Sequence, residues 1–211
     1  MGAYHRAMKK ISLLLALMLC GTGASAAPGA DGAGYLAPVM ARTQVDPGEE
    51  IERATFPVAR ADWLSVINFS NDWHAPRMRK IGGRWEQVGI HEGTDIFAEP
   101  GTPVRAVVGG RVERVGWTFY SGWRVGIRDE VGRYWFYAHL RSFAPGITEG
   151  SAVAAGDALG AVGNTGYGSE PGHRDEFTYH LHLGIQQPDG RWINPYPIVR
   201  KLYRSAVRET R

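Results

Sequence analysis

The segment YHLHLGI, residues 179–185, sets two histidines two positions apart with apolar residues between and beyond them. On a β-strand side chains alternate faces, so His180 and His182 share one face while Leu181, Leu183 and Ile185 share the other. A second cluster, GIHEGTDIF at 89–97, carries His91 and Asp95 four positions apart. Four extended residues span about 13 Å, whereas two donors on one zinc ion lie within about 4 Å of each other. Joint ligation therefore needs a bend, which Gly93 can supply. A third candidate, His139, closes the run RYWFYAHL, where strict alternation groups it with Trp135 and Tyr137 and groups Leu140 with Phe136 and Ala138.

Each feature also has a plainer reading. A lone strand histidine is more often packed or surface-exposed than a ligand, and Asp95 could simply accept backbone amides in a turn with His91. His180 and His182 need polar partners if their face is buried. Together the residues say more, because two imidazoles and one carboxylate leave a position on zinc open for water, as in hydrolytic sites. Further histidines beside such a site can carry protons and stabilise an oxyanion. The His91–Glu92 pair begins like the helical HExxH of zinc proteases, but the fifth residue is Asp95, and Gly93 and Thr94 disfavour a helix. Glu92 is thus not expected to be a general base. His74 and His173 read as surface or loop residues.

The elements that must position these residues are strands. From residue 62 the chain is a series of short β-prone runs separated by glycine-rich turns, including WLSVINF, VRAVV, RVERVGW, WRVGIR and RYWFYAHL. The expectation is an all-β, mainly antiparallel domain over 61–197, a compact sandwich or barrel-like fold. Two segments resemble each other, GTPVRAVVGGRVERVG at 101–116 and GSAVAAGDALGAVG at 150–163, which suggests a duplicated hairpin motif. Prolines and helically spaced apolar residues in PYPIVRKLYRSAVRET predict a short helix within the tail, placed at 198–211.

The first 26 residues read as a secretory signal: Arg6, Lys9 and Lys10, then ISLLLALMLC, then a small-residue cleavage site at Ala24-Ser25-Ala26. That apolar run is shorter than the roughly 20 residues a spanning helix needs, so no stable membrane insertion is expected after cleavage. Cys20, the single cysteine, offers a lipid anchor as an alternative, but Leu19 is large where such sites want a small residue. Cleavage leaves 21 Lys and Arg against 21 Asp and Glu, with no basic cluster to favour nucleic acid. Residues 27–60, rich in Ala, Gly and Pro, are expected to form a flexible leader, a candidate cover for the site.

From about Phe69 to Pro195 the sequence resembles the LytM-type, lysostaphin-like zinc metallopeptidases, which are bacterial cell-wall endopeptidases. The resemblance rests on HEGTD, the GTPVRAVVGGRV hairpin, YAHL, the GDALGAVGNTG turn and HLH, in the family's order. It implies an antiparallel β fold with an open groove over one sheet. It also implies Zn2+ held by His91, Asp95 and His182, with His139 and His180 orienting or deprotonating the attacking water and stabilising the tetrahedral intermediate. The implied substrate is peptidoglycan, in stem peptides or cross-bridges, met in the periplasm or outside the cell; whether a protein activator takes part stays open. All five positions are filled, unlike in degenerate members that regulate other hydrolases. GYGSEPGHRDEFTY, inserted before His180, departs from many members, and Tyr167, Arg174, Asp175 and Glu176 in it are candidates for peptide contacts. Two other readings are a non-hydrolytic wall-binding protein, which the intact His139 and His180 oppose, and a two-His, one-carboxylate iron oxygenase, which has no need of two further histidines.

Overall fold

The computed structural model describes residues 53–59 and 66–209. The expected signal segment, Cys20 and most of the expected leader lie outside the described residues. Among the described residues eleven strands and one helix follow in order: β1 Pro76–Ile81, β2 Arg84–Ile90, β3 Thr94–Phe97, β4 Pro103–Arg105, β5 Gly110–Thr118, β6 Gly122–Arg128, β7 Tyr134–Phe143, β8 Ala152–Val153, β9 Ala158–Val162, β10 His180–Gln186, β11 Trp192–Ile193 and α1 Tyr196–Glu209. All the strand pairings are antiparallel.

Nine strands form one sheet that runs β11-β10-β7-β6-β5-β8, with β3 added to β10, and β9 linking β7 to β4. The sheet folds over on itself, but it does not close into a barrel, since the path ends at β11 and β8. The two similar segments explain the folding-over. β4 of the first pairs with β9 of the second, and β5 of the first pairs with β8 of the second, so each copy completes the other. Inside lie the apolar residues that alternation assigns to the core: Ile96, Val104, Ile127, Tyr137, Leu159, Leu181, Leu183 and Ile185 are each fully buried.

Two further elements cap this core. In α1 the residues Val199 and Leu202 are buried, with Tyr203 and Ala206 packed beside them at the three- and four-residue spacing of one helix face. Asn194 Oδ1 accepts the Tyr196 amide at 3.0 Å, satisfying one of the orphan donors at the helix start. The described end of the expected leader is not loose. Phe56 and Val58 are buried, Thr55 and Ala59 amides bond the Val107 and Pro103 carbonyls, and Phe56 meets Phe69 and Tyr203 ring to ring. Composition alone does not reveal Phe56 and Val58 as core residues, and with both in the core the folded unit begins before residue 61.

The β1–β2 hairpin stands apart as its own two-stranded sheet. Its turn is Gly82-Gly83, both at positive φ (56° and 86°), the backbone that a two-residue hairpin turn requires. Every residue of β2 is exposed, Trp85 and Ile90 among them.

Candidate metal centre and groove

β10 is the spine of the site. Its neighbours are β3 on one edge, with His182 opposite Asp95, and β7 on the other, with His182 opposite Ala138. The Leu181, Leu183 and Ile185 side of β10 enters the core, while His180 and His182 lie over the groove. His91 directly follows β2, and the turn at Gly93 brings Asp95 of β3 back beside it; the missing Cβ of Gly93 matters, because an added methyl would collide with the His182 ring and with Leu183 O, 2.8 Å away.

Three donor atoms converge there. His91 Nε2 lies 3.0 Å from Asp95 Oδ1, His182 Nδ1 lies 2.9 Å from the same oxygen, and the two ring nitrogens are 3.0 Å apart. These three residues form a group able to hold a metal ion. A tetrahedral zinc with bonds of about 2.0–2.1 Å separates its ligand atoms by about 3.3 Å, so this triangle fits the ion after an opening of a few tenths of an ångström. Donor chemistry agrees, since nitrogen and carboxylate oxygen are ordinary zinc ligands.

Groups behind the triad hold it in place. His91 Nδ1 donates to Asp72, 2.9 Å from Oδ2 and 3.2 Å from the backbone oxygen, so it is Nε2 that faces the triad and presents a lone pair there once the ring is neutral. Arg77 Nη2 donates to Asp95 Oδ2 at 2.7 Å, which leaves Oδ1 for the triad. Asp72 and Arg77 carry no recognisable sequence signal, being 19 and 18 residues from their partners, and only the fold reveals them. Burial opposes ionisation of Asp95, yet the bonds from His182 and His91 hold its carboxyl far below the usual carboxylate range. Burial likewise lowers His91, but Asp72 and Asp95 outweigh it and push the imidazole up to about 9.

His139 reaches the groove by a route that alternation does not foresee. Trp123 pairs with Leu140 and Val125 with Tyr137, so Ala138 and His139 together stand opposite Arg124 alone. This β-bulge, with His139 at φ 62°, turns the imidazole onto the groove side and sends Leu140 into the core, reversing the face expected for both. The His139 and His180 rings lie 4.8 Å apart.

Their tautomers follow from their partners. His139 Nδ1 donates to Thr165 O at 2.8 Å and His180 Nδ1 to Thr178 O at 2.7 Å; a carbonyl can only accept, so each Nε2 is left as an acceptor. Burial lowers both pKa values, for His139 helped by the charges of His180 and His182, and both rings are neutral at pH 7.

The four histidines line a groove of about 840 Å³, with Phe136 and Ala138 on its floor, the β1–β2 hairpin on one side, and Tyr120, Tyr167, Glu176 and Phe177 on another. Of the inserted loop, Tyr167 and Glu176 line this space, whereas Arg174 and Asp175 are exposed. Phe177, which packs on both His139 and His180, was not singled out by the sequence. His74 and His173 lie outside the groove lining. A larger hollow of about 1390 Å³ beside Arg111, Glu113 and Arg128 contains none of the histidines.

Fold and donor set define the class first: a LytM-like antiparallel β protein built around a groove with a His-Asp-His triad. The model for peptidase family M23 matches residues 89–195, just over half of the chain, and the chain belongs to that family. It is 47% identical over 125 residues to an L-Ala–D-Glu endopeptidase of Bacillus subtilis, covering 58% of this chain and 37% of the relative. To the glycyl-glycine endopeptidase ALE-1 of Staphylococcus capitis it is 40% identical over 127 residues, 58% of this chain and 30% of the relative. The chain thus spans well under half the length of these relatives. A crystal structure from Ruminococcus gnavus, of a candidate glycyl-glycine endopeptidase LytM, superposes with a TM-score of 0.61 at 36% identity, covering 74% of this chain and 63% of that one.

Proposed function

We propose that this chain is an exported zinc endopeptidase that hydrolyses peptide bonds of peptidoglycan, in stem peptides or cross-bridges. The observation that carries the reading is the donor triad of His91, Asp95 and His182 beside two neutral imidazoles in one groove. The names of the family relatives support the bond type. Nε2 of His91, Oδ1 of Asp95 and Nδ1 of His182 would hold the ion. When bound, the ion supplies Lewis-acid polarisation of the scissile carbonyl and brings the pKa of a coordinated water to about 7.

The chain's own residues handle the protons. A water has two O–H groups, and the free Nε2 atoms of His139 and His180 are two acceptors suited to orient it. His180 is the better base, because its Nε2 lies 3.6 Å from Asp95 Oδ1 and that negative charge favours the imidazolium. His139, buried and opposed by neighbouring histidines, stays neutral and orients. The proton on His180 then stabilises the oxyanion and passes to the leaving amine.

Digestion of purified sacculi, with mass spectrometry of the new termini, tests the proposal. Release of peptide ends that a chelator abolishes and added zinc restores is the expected result. Binding to sacculi without any new termini, in zinc-loaded protein, would overturn it in favour of a wall-binding role.

A further inference from the structure

Two arginines occupy one face of the groove wall. In β1 the half-buried Arg77 and Arg79 alternate with the exposed Met78 and Lys80. Arg77 reaches Asp95 and Arg79 lies over the Phe119 ring at 5.0 Å, so this face looks onto the donor triad at one end and onto the β5–β6 turn at the other. We infer that the hairpin forms a carboxylate subsite read by Arg79, and that the bond cleaved is flanked by a residue bearing a free carboxylate; the inference rests on the peptidase reading.

The argument is one of unmet charge and spacing. Arg77 is committed to Asp95, but among the described residues no carboxylate pairs with Arg79, and its cross-strand neighbour Glu86 makes no ion pair with it. The Phe119 contact holds the cation without pairing it with an anion, so the planar N–H fork that matches a carboxylate bidentately still lacks one. A half-buried, unpaired guanidinium gains more from such a ligand than an exposed one does. Two strand residues cover about 7 Å, which is also the spacing of successive same-side residues in an extended peptide, so Arg79 sits about one such step from the triad. The lining acids do not cancel this: Glu176 is across the groove and bonded to His173 Nε2 at 3.1 Å, and Glu92 is not on the hairpin. The two relatives are named for different bonds, one next to an acidic residue and one between glycines. The arginine face favours the first kind.

The test uses the zinc-loaded protein and three peptides: one containing L-Ala–D-Glu with its free Glu carboxylate, its twin with that carboxylate converted to the carboxamide, and pentaglycine. The expected result is a kcat/KM for the acid about tenfold to a hundredfold above the carboxamide, falling with added salt, with pentaglycine poorest. Arg79→Gln brings the acid-to-amide ratio to within about twofold of one, while Arg79→Lys keeps part of the preference. Equal rates for acid and amide in the wild-type protein overturn the subsite while leaving the peptidase reading intact, and so does a preference that survives Arg79→Gln. If no peptide is cut, the peptidase reading fails instead, and calorimetric titration of the acid and amide peptides into the same protein still reads the subsite: equal binding overturns it.

Discussion

His91 shows how much of this site is decided one atom at a time. With Nδ1 held by Asp72, only Nε2 can join the triad, so Asp72 acts as a positioning residue. Asp72→Ala is expected to weaken metal affinity about 10- to 100-fold without removing a ligand, measured by competition with a chromophoric chelator. His91→Ala, Asp95→Ala and His182→Ala are expected to lose the ion, whereas His139→Ala and His180→Ala keep it and lose turnover. Elemental analysis of each purified variant separates the two groups, and full metal content in His182→Ala would reject the ligand assignment. Because the His91 pKa is raised from 6.5 to about 9, the metal-free protein holds a proton there at pH 7. Metal uptake is then expected to release about one proton near pH 7 and fewer above pH 9, readable by titration calorimetry in buffers of different ionisation enthalpy. The same shift gives the metal-free protein stability that is full below pH 6.5 and lost as the pH rises through about 9. The residue types were legible in the sequence, since HEGTD and HLH carry the triad; Asp72 and Arg77 were not, because their roles depend on contacts between distant parts of the chain.

Among the elements, β10 follows strand arithmetic and β7 departs from it. The two-residue period placed His180 and His182 together opposite Leu181 and Leu183, and the structure agrees, with both histidines lining the groove and both leucines in the core. In β7 the same rule fails at one point, where the bulge opposite Arg124 inserts an extra residue and inverts His139 and Leu140. Periodicity cannot announce a bulge, because the inserted residue is specified by the partner strand. The β1–β2 hairpin was missed although Gly82-Gly83 is a two-residue turn signal, as its flanks are charged rather than cleanly alternating. The turn into β3 makes its own prediction. Gly93→Ala forces a methyl against His182, so metal binding is expected to fall sharply while the far-UV circular dichroism stays that of the native sheet. A variant binding metal normally would show that the turn can move aside.

At the scale of the whole molecule, two similar segments pair crosswise, and the helix and the stretch around Phe56 close the resulting core. Phe56 is buried against Phe69 and Tyr203, so Phe56→Ala is expected to cost about 3–5 kcal/mol in denaturant unfolding. Removing residues 1–60 should likewise lower the melting temperature, whereas removing 1–52 leaves these core contacts in place; equal stability of the two truncated proteins would mean that 53–59 adds nothing. By itself the sequence determined the β class, the apolar face of a regular strand such as β10 and, through its resemblance to a known family, which five polar residues to expect at the site, because alternation and motif spacing are local properties. Only the tertiary structure decided that β3, β7 and β10 bring those residues to one groove, that a bulge turns His139 towards it, and that a hairpin of arginines walls it. Those outcomes depend on pairing between segments up to about ninety residues apart, and such pairing leaves no periodic trace in the chain.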